Sequence, residues 1–520
     1  MKRIKRILSA SLVAVIAFTM SACGGSPSEN SGSSSTSAGQ TASASASASA
    51  EGPAELSMLV IGDNSPPDTN SVLKEIESKT NSSLKVTYVS LADSASKLNT
   101  LIAARTLPDI FWASTISDAE QLKQNGMLTD LMEYVKDAKA IQDNLGAVLA
   151  SHPLNKDGQI YALFNADHDY AQNMNIRTDW LKKVGKEMPT DLDSLYDVLY
   201  AFTFNDPDGN GKNDTIGLGA SIVGNWNNFT NILGAYGIAA NMNGLRPVKL
   251  DDGTVTTGLK HKNFLEAVKY FQKLYQNGVM DPDFATIPTM DSFGKLWNGK
   301  VGAFDFQCPG PTNNWMPSRY TENPPPTFDF ASIKGPTGQA AQGKIYPSYT
   351  PSVVVSSTCK NPAAAVKLLD FFLTEDGNAL LRLGVEGKHF NWVDKAAGTY
   401  EMIKPYDDST TNRNDGVFVY SDFLRPKITT ERRTFNAQTK QGVEMADAMC
   451  TIEWPFIYTS FAADTNYGAN LKTIEKEIFC QLISTKGNLE EGYKKAIARW
   501  ENEGGKEWEQ EATVAYNSQK

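Results

Sequence analysis

A regular alternation of short apolar runs and amphipathic segments over residues 55–125 constrains the fold more than any other feature of this sequence. The runs 55–61, 84–89 and 109–112 are predicted strands, because each is short, apolar and bounded by polar residues. Apolar residues at helical spacing predict a helix in each interval and another over 116–125. A chain that alternates strand and helix in this way builds an α/β domain with a mostly parallel sheet.

The first 53 residues have the composition of an export signal followed by a linker. Basic residues precede an apolar run at 7–18, which is too short to span a bilayer comfortably. The run Met20-Ser21-Ala22-Cys23 follows and resembles the lipobox of bacterial lipoproteins, with Met20 in place of the usual Leu. The resemblance implies a signal peptide over 1–22 and a diacylated Cys23 as the lipidation site. An ordinary secretory signal cleaved nearby is the alternative.

Gly, Ser and Ala dominate residues 23–53, and such a segment cannot bury a core. It is therefore predicted to be a flexible tether that holds the rest of the protein just off a membrane. From residue 54 onward the chain is long enough for two or three domains with full cores.

Composition excludes several classes of function. The net charge of −10, with no basic block after the signal, argues against a nucleic-acid partner. The cysteines after Cys23 are Cys308, Cys359, Cys450 and Cys480; they form no CxxC motif, so no metal cluster is expected, while disulfides and buried thiols both stay open. The 4 histidines are widely separated, which makes a zinc site improbable. Residues 338–345 (GQAAQGKI) nearly match a phosphate-binding loop, but no Ser or Thr and no helix follow, so no nucleotide site is expected.

The segment DPDGNGKND carries oxygen-bearing groups on alternate positions, as calcium loops do. The candidate metal ligands are Asp206, Asp208, Asn210 and Asp214, with Lys212 contributing its backbone carbonyl. The spacing matches the first nine positions of an EF-hand loop, but Gly217 occupies the position of the closing Glu. A structural Ca²⁺ site and a turn cluster without an ion are the two interpretations. A helix capped by Thr190 and Asp193 is predicted just before this loop, and Asp179 is predicted to cap the helix before that.

Three stretches carry a family resemblance: IRTDWLKKVG, PTDLDSLYDVLYAF and DPDGNGKND. They resemble the extracellular solute-binding proteins of carbohydrate ABC importers, in the lipoprotein and alginate-oligosaccharide-binding branch, which carries a calcium loop after the equivalent helix. The resemblance implies an α/β, two-lobed periplasmic-binding-protein-like fold of type II, in which each lobe is a mixed sheet flanked by helices and extra helices follow at the C-terminus. The implied N-terminal lobe is 54–166 plus 351–415, and the C-terminal lobe is 167–350 plus 416–520.

Two segments are predicted to cross between the lobes, and four helices are predicted near the C-terminus. Residues 157–165 and the strand 351–355 are the crossing segments. The predicted C-terminal helices are 431–449, 466–482, 489–500 and 508–516.

The resemblance also suggests where a sugar binds. LPDIFWASTISDAEQLKQNGMLTDL is similar to a stretch of maltose-binding proteins in which the Trp touches sugar, and matching positions imply cleft aromatics at Trp226 and Trp392. Position beyond strand ends or in polar loops adds the remaining candidates. For each of them, packing in the core or in a loop is the alternative, and Trp454 either reaches the cleft or packs. The predicted ligand-binding residues are Trp112, Ser114, Asp167, Asn173, Trp226, Gln307, Trp315 and Trp392.

We therefore expect a membrane-anchored, monomeric binding protein that captures an oligosaccharide and delivers it to an ABC importer permease. Aromatic rings would stack on the apolar faces of sugar rings, and polar side chains would bind the hydroxyls. A surface glycan hydrolase or lyase is the alternative from another class, and it would need two carboxylates across the sugar bond. No catalytic motif stands out, so we expect no enzyme. A peptide-binding lipoprotein of the same fold is a third alternative.

Overall fold

The computed structural model describes residues 52–62, 65–90, 93–165, 172–307, 319–427, 437–459 and 461–519. These residues belong to one compact unit, Gly52–Lys520. The predicted signal peptide, the tether and the lipidation site Cys23 lie outside the described residues, as do Asp167, Cys308 and Trp315. Within those ranges, no helix is both long enough and apolar enough to cross a bilayer.

The strands are numbered in chain order. They are β1 Ala54–Ile61, β2 Ser82–Val89, β3 Ile110–Ala113, β4 Leu163–Asn165, β5 Gln172–Arg177, β6 Ile216–Gly219, β7 Ala240–Asn241, β8 Gly244–Leu245, β9 Val248–Lys249, β10 Val255–Thr256, β11 Val301–Gln307, β12 Phe328–Ala331, β13 Ser348–Val355, β14 Phe390–Asp394 and β15 Thr399–Met402.

The α-helices are numbered in the same way. They are α1 Ser71–Thr80, α2 Ser94–Ala104, α3 Ile116–Gln124, α4 Met132–Val135, α5 Lys139–Leu145, α6 Thr178–Val184, α7 Leu192–Phe204, α8 Thr230–Ala235, α9 Phe264–Gln276, α10 Thr289–Trp297, α11 Pro362–Phe372, α12 Glu375–Leu383, α13 Ser409–Asn414, α14 Ala437–Ala448, α15 Ala462–Ser484, α16 Leu489–Trp500 and α17 Lys506–Ser518.

A five-stranded sheet with the order β2-β1-β3-β13-β4 forms what we call the first lobe. β1 pairs in parallel with β2 and with β3, as the alternation of strands and helices predicts, whereas β13 is antiparallel to its two neighbours. Both faces of the sheet are covered. Leu56, Met58 and Val60 of β1 lie in one apolar cluster, and Leu59 points into another. A strand buried on both faces reads as a continuous apolar run, which is the pattern of residues 58–61.

A four-stranded sheet with the order β12-β5-β11-β6 forms the second lobe. Every residue of β5 is buried. Helices pack on this sheet around Phe479 of α15, whose ring centre lies 5.3 Å from the rings of both Phe229 and Phe271. The extra C-terminal helices α15, α16 and α17 are therefore part of the core of the second lobe. They extend over the regions expected from the sequence.

Two predicted helix caps are wrong. α7 is capped by Asp191, whose carboxylate accepts a hydrogen bond from the Ser194 backbone N–H at 2.8 Å, so Thr190 and Asp193 do not form the capping box. Asp and Thr stand side by side here, and Asp is the stronger capping residue. Asp179 lies in the first turn of α6 and makes an ion pair at 2.5 Å with the buried Arg177 instead of capping the helix.

The two predicted crossing segments lie side by side in the first lobe. β4 and β13 pair antiparallel at Ser348 with Asn165 and at Val353 with Leu163, with a bulge between these pairs. The predicted strand 351–355 is the C-terminal part of β13. The chain enters β13 from the second lobe. Gln342, six residues before β13, is hydrogen-bonded through its side chain to the Gln172 backbone on β5.

The segment 416–424 packs in the first lobe, although the sequence assigned it to the second. Val417, Tyr420, Phe423 and Leu424 are buried in the apolar cluster around β1 and α1. The Tyr420 hydroxyl lies 2.7 Å from that of Tyr88 on β2. These contacts join residues more than three hundred positions apart in the chain, so local patterns do not reveal them.

Candidate functional site

A cavity of about 230 Å³ lies between the two lobes, and we call it the central cavity. The first lobe contributes the start of α3 and the N-terminal half of β13. The second lobe contributes the start of β5, the β7–β8 hairpin, and two extended segments near residues 342–347 and 454–458. The lining residues are Ile116, Gln172, Ala240, Asn241, Asn243, Arg246, residues 342–350, Trp454 and residues 456–458.

Aromatic rings form one continuous wall of the central cavity. Tyr346 stacks on Phe456 with ring centres 4.9 Å apart and planes 4° from parallel. Trp454 meets Phe456 edge-on at 5.4 Å, and Tyr349 lies 5.8 Å from Phe456 on its other side. Tyr458 extends the wall, at 5.7 Å from Tyr349. Flat rings of this kind offer the apolar faces on which the C–H face of a ring-shaped polar ligand can pack.

Backbone pairing holds this wall in place. The Lys344 N–H donates to the Ile452 carbonyl at 2.8 Å, and the Ile452 N–H donates to the Gln342 carbonyl at 2.9 Å. The Trp454 indole N–H then donates to the Lys344 carbonyl at 2.8 Å. Because Pro455 follows Trp454, the chain stays extended and presents Trp454 and Phe456 with the orientation that the wall requires.

Charged groups cluster at one end of the wall. The Lys344 ammonium lies 2.6 Å from a Glu453 carboxylate oxygen, and the Tyr346 hydroxyl donates to the other oxygen at 2.5 Å. The hydrogen bond from Lys344 lowers the pKa of Glu453. Burial and the hydrogen bond to Glu453 raise the pKa of Tyr346, so its hydroxyl stays protonated at neutral pH. The guanidinium carbon of Arg246 lies 4.7 Å from the centre of the Trp454 ring.

Close packing under the cavity fixes the segment 341–347 to the second lobe. The Gln342 side chain accepts from the Gln172 backbone N–H at 2.8 Å and donates to the Gln172 carbonyl at 2.6 Å, which continues the β5 ladder with a side chain. Gly234 of α8 faces the same segment. A Cβ atom at Gly234 would lie 1.8 Å from the Ala341 carbonyl oxygen, so only glycine permits this approach.

Two further cavities adjoin the central one. A cavity of about 300 Å³ lies behind Tyr346 and Trp454, against Pro247 and Tyr516. A third, of about 190 Å³, lies among the C-terminal helices, and we call it the helical cavity. Arg246 and Trp454 line all three cavities. The Arg246–Trp454 pair is therefore the point at which they meet.

The structure places Trp112 and Ser114 at the end of β3, as predicted, but neither side chain lines the central cavity. The Trp112 indole N–H donates to the Phe423 carbonyl at 2.8 Å, and its ring stacks on Phe423 at 5.5 Å. Ser114 borders a separate surface cavity of about 110 Å³ beside α2. Ile116, two residues further on, is the residue of this strand end that reaches the central cavity.

Two other predicted residues lie in the interior of the second lobe, which corrects their expected place in the cleft. Trp226 is 1% exposed, and its ring packs 5.0 Å from Phe479, because the hairpin and α15 close over it. Asn173 is fully buried on β5 and donates to the Gly442 carbonyl of α14 at 2.9 Å.

The remaining described candidates are Gln307, which lies next to the central cavity, and Trp392, which lies in a separate hairpin. Gln307 is the last residue of β11 and pairs directly with Gln172, which lines the central cavity. Trp392 is half-buried in the β14–β15 hairpin, where it packs edge-on to Phe390 at 5.1 Å. Trp392 lines none of the four cavities described above.

The predicted calcium loop is a tight turn in which nitrogen donors satisfy the carboxylates. The Asn210 amide donates to Asp208 at 2.7 Å and to Asp214 at 3.0 Å, and the Gly211 N–H donates to Asp206 at 3.0 Å. The Lys300 ammonium lies 2.7 Å from Asp214 and 3.9 Å from Asp208. In the part of the chain that the structure describes, no three His, Cys, Asp or Glu side chains are grouped to hold a metal ion. The hard oxygen donors still fit the chemistry of Ca²⁺.

The cysteines that can be placed are thiols. Cys359 is buried, Cys450 and Cys480 are half-buried, and the three are not joined to one another by disulfides. Burial raises the pKa of Cys359 and of Cys480 to about 11, which keeps both thiols protonated.

Sequence reasoning missed Arg246, Tyr346 and Phe456. The signal was present in the runs IYPSY and EWPFIY, in which aromatic residues alternate around a proline outside any helix or strand pattern. Residues 343 and 344, in the segment that resembles a phosphate-binding loop, line the central cavity. Residues 343 and 344 lie in an extended segment beside aromatic rings, and not at the start of a helix as the residues of a phosphate-binding loop do.

Comparisons with known proteins agree with this architecture. The family model described as bacterial extracellular solute-binding protein matches residues 71–382. Lipoprotein LipO of Bacillus subtilis is 26% identical over 486 residues, covering 89% of this chain and 91% of LipO. The polygalacturonan/rhamnogalacturonan-binding protein YtcQ of the same organism is 25% identical over 478 residues, covering 90% and 92%.

A solved structure shares the fold. The Streptococcus pneumoniae ABC-transporter substrate-binding protein FusA, as an EF-hand mutant in complex with fructo-nystose, superposes with a TM-score of 0.66 at 18% identity, covering 89% of this chain and 99% of that one. The family resemblance and the α/β fold class predicted from the sequence are both confirmed. The chain belongs to the bacterial extracellular solute-binding proteins.

Proposed function

We propose that this protein captures an oligosaccharide in the central cavity and delivers it to the permease of an ABC importer. The observation that carries the proposal is the aromatic wall of Tyr346, Trp454, Phe456 and Tyr349, bordered by Arg246 and by amide side chains. Such walls stack on the C–H faces of sugar rings while the polar groups bind hydroxyls. The names of YtcQ and FusA, which describe binding of pectic glycans and a fructan, support the same class of ligand.

Binding is proposed to close the two lobes on the sugar by a hinge motion. The cavity has walls from both sheets, so a ligand that contacts Tyr349 of β13 and Asn241 of β7 joins the lobes. The paired strands β4 and β13 are the hinge segments in this proposal. The protein acts as a monomeric receptor and not as an enzyme.

Calcium is proposed to occupy the loop Asp206 to Asp214 as a structural ion. Asp206, Asp208, Asn210 and Asp214 would hold it with the Lys212 carbonyl, and it would pin the turn between α7 and β6 without taking part in sugar binding. The FusA structure is that of an EF-hand mutant, which supports a loop of this kind in a similar protein. Lys300 competes with the ion, because its ammonium already neutralises Asp214.

The protein is proposed to be held at the outer face of the cell membrane through diacylated Cys23, with 24–53 as the tether. The description of LipO as a lipoprotein and the extracellular character of the family support this placement. Two acyl chains give stable anchoring where a single chain gives only marginal binding.

Isothermal titration calorimetry with defined oligosaccharides tests the proposal. The set comprises galacturonan trimers and pentamers, kestose, fructosyl-nystose and a manno-oligosaccharide, with a pool of tripeptides as the competing class. Saturable binding of at least one sugar, with no sugar released or shortened on overnight incubation, is expected. Binding of peptides alone would replace the proposal with a peptide receptor, and cleavage of a bound glycan would replace it with an enzyme.

A further inference from the structure

The helical cavity lies directly beyond the aromatic wall. One face of α15 lines it, together with Trp500 at the end of α16 and Trp508 in α17. Trp454 and Phe456 line it from the other side, and these two side chains also line the central cavity. These two rings therefore stand between the two cavities, together with Asn243, Arg246 and Ile457, which also line both.

The walls of the helical cavity are aromatic. Phe461 and Trp508 meet at 5.7 Å with their planes 63° apart, and Trp508 and Trp500 meet at 6.4 Å with planes 72° apart. The Trp508 indole N–H donates to Asp464 at 2.8 Å, which fixes the ring. The rings thus form a rigid, angled surface and not a collapsed stack.

Two polar atoms of residues that line the helical cavity have no hydrogen-bond partner among the described residues. Trp500 is 1% exposed, and its indole N–H has no hydrogen-bond acceptor among the described residues. Glu475 is 8% exposed; its Oε1 accepts from the Thr257 hydroxyl, and its Oε2 has no partner in the described part of the chain. Burying an unpaired donor such as the Trp500 N–H costs free energy, so a site that offers this donor beside the open Glu475 oxygen favours a ligand that supplies the complements.

A sugar hydroxyl supplies both complements, since it accepts from an indole N–H and donates to a carboxyl oxygen. The ring that carries it would be covered by Trp500, Trp508 and Phe461. The ionisable group buried deepest among the lining residues is an acid, Glu475, and the cations Lys472 and Arg246 stand nearer the rim. Burial raises the pKa of Glu475 to about 7, and a neighbouring uronate would be repelled by its ionised form.

We infer that the helical cavity is an accessory subsite that accepts a neutral sugar ring at the end of an oligosaccharide whose other rings lie in the central cavity. This inference rests on the proposed function, because the chain must pass the Arg246–Trp454 pair from one cavity into the other. It predicts that the protein distinguishes oligosaccharides by length as well as by composition. Short ligands fill the central cavity alone.

The test is calorimetric titration of the purified protein with kestose and with fructosyl-nystose, and with the galacturonan trimer and pentamer. Variants Trp500→Phe and Glu475→Met remove the free donor and the free acceptor, and Glu475→Gln restores an acceptor. Trp297→Phe is the matched control, because Trp297 is a buried tryptophan whose N–H also lacks an acceptor among the described residues, but it lines none of the four cavities.

The neutral pentasaccharide is expected to bind more tightly than the trisaccharide, with no such gain in the galacturonan pair. Trp500→Phe and Glu475→Met should weaken the long neutral ligand about tenfold while leaving the short ligand within about twofold, and Glu475→Gln should recover most of the loss. Retained binding of the short ligand shows that each variant is folded.

The outcomes separate the subsite from the proposed function. If kestose and fructosyl-nystose bind equally well to the wild-type protein, or if the variants weaken both alike, the subsite is overturned and the function stands. The subsite is also overturned, and the function stands, if Trp297→Phe weakens binding of fructosyl-nystose as much as Trp500→Phe does. If no oligosaccharide of either length binds, the proposed function falls and the subsite falls with it.

Discussion

The guanidinium carbon of Arg246 lies 4.7 Å from the centre of the Trp454 ring, and this pair borders the central cavity and both cavities that adjoin it. The Trp454 ring is also held by the hydrogen bond from its N–H to the Lys344 carbonyl. A cation over one face and a hydrogen bond at the edge restrict the ring to one orientation before any ligand arrives. Such preorganisation lowers the entropy lost on binding.

Removing the Trp454 ring should therefore weaken sugar binding more than removing any exposed aromatic residue. Trp454→Ala is expected to cost about 2 kcal/mol or more in binding free energy, which is about thirtyfold in Kd. Calorimetry with the best sugar from the panel measures the change. Tyr200→Ala is the control, since Tyr200 is 47% exposed on α7 and lines none of the four cavities. Equal sugar affinities of the Trp454 variant and the wild type would show that the aromatic wall does not bind the sugar.

Gly234→Ala should disturb the cavity from beneath. The new methyl group would collide with the Ala341 carbonyl oxygen, so the segment that carries Gln342 and Lys344 must move. We expect a loss of about 1–3 kcal/mol in the free energy of unfolding, together with weaker sugar binding. Urea unfolding and calorimetry measure the two effects.

Gly492→Ala is the matched glycine control for this variant. Gly492 lies within α16, and an added Cβ would meet nothing nearer than a Leu482 methyl group at 3.6 Å. Alanine should stabilise that helix by about 0.5–1 kcal/mol. Identical behaviour of the two variants would show that the close approach at Gly234 has no effect on the site.

Lys300→Ala should strengthen calcium binding to the loop. The ammonium neutralises Asp214 and approaches Asp208, and the hydrogen bond from Lys300 lowers the pKa of Asp214. Without it, the carboxylates repel one another until a cation arrives, so the variant should unfold at lower temperature in chelator and gain more from Ca²⁺ than the wild type. Thermal unfolding in chelator and in a Ca²⁺ series measures this difference, which follows from mass action. Asp208→Asn should reduce the rise in unfolding temperature that Ca²⁺ causes. Equal rises in the wild type, Lys300→Ala and Asp208→Asn would contradict a calcium site.

Stability should fall as the pH rises from 5 to 7 because of buried carboxyl groups. Burial raises the pKa of Glu475 from 4.5 to about 7 and that of Asp305 from 3.8 to about 7. Between the unfolded and folded pKa values the native state binds protons that the unfolded chain has released, so the free energy of unfolding decreases with pH across that window. Urea unfolding at several pH values measures the slope.

Glu475→Gln isolates the contribution of one group to that slope. The free energy of unfolding of the variant should fall less steeply between pH 5 and 7 than that of the wild type. The remaining slope is expected from Asp305, which accepts hydrogen bonds from Asn231. An unchanged slope would show that Glu475 titrates normally in the native state.

Cys23→Ala should release the protein from the cell membrane. Without the thiol no diacyl group can be attached, so the mature chain would either be secreted or keep its uncleaved signal. Fractionation of expressing cells, with detection in medium and membrane, measures the distribution. The same distribution for wild type and variant after a carbonate wash would exclude lipid anchoring at this position.

Local periodicity was sufficient to predict β1, β2, β3 and the helices that follow them, because these strands carry their burial pattern in consecutive residues. It was not sufficient for the ends of helices where two capping residues adjoin, as at Thr190 and Asp191. Periodicity does not distinguish them, and the helix is capped by Asp191, the stronger capping residue of the two, which accepts from the Ser194 N–H.

The candidate site was harder to predict, because its walls come from segments far apart in the chain. Trp226 stands at the start of a helical turn, where relatives suggest a cleft residue, yet Phe479 covers its ring from more than two hundred positions away. Trp454 is fixed in the cavity wall by contacts with Lys344 and Arg246, which lie far from it in the sequence. No sequence pattern around Arg246 predicts that it lines a cavity.

The path of residues 342–355 has a consequence for how such proteins can diversify. This stretch begins bonded to β5 of one sheet, passes along the aromatic wall, and ends as β13 inside the other sheet. A recombination event that replaced one whole lobe with that of a homologue would separate the residues that line the central cavity into two groups of different origin. On the proposed function, sugar specificity depends on this crossing stretch and its partner at 452–458, and it should change more readily by substitution there than by exchange of lobes.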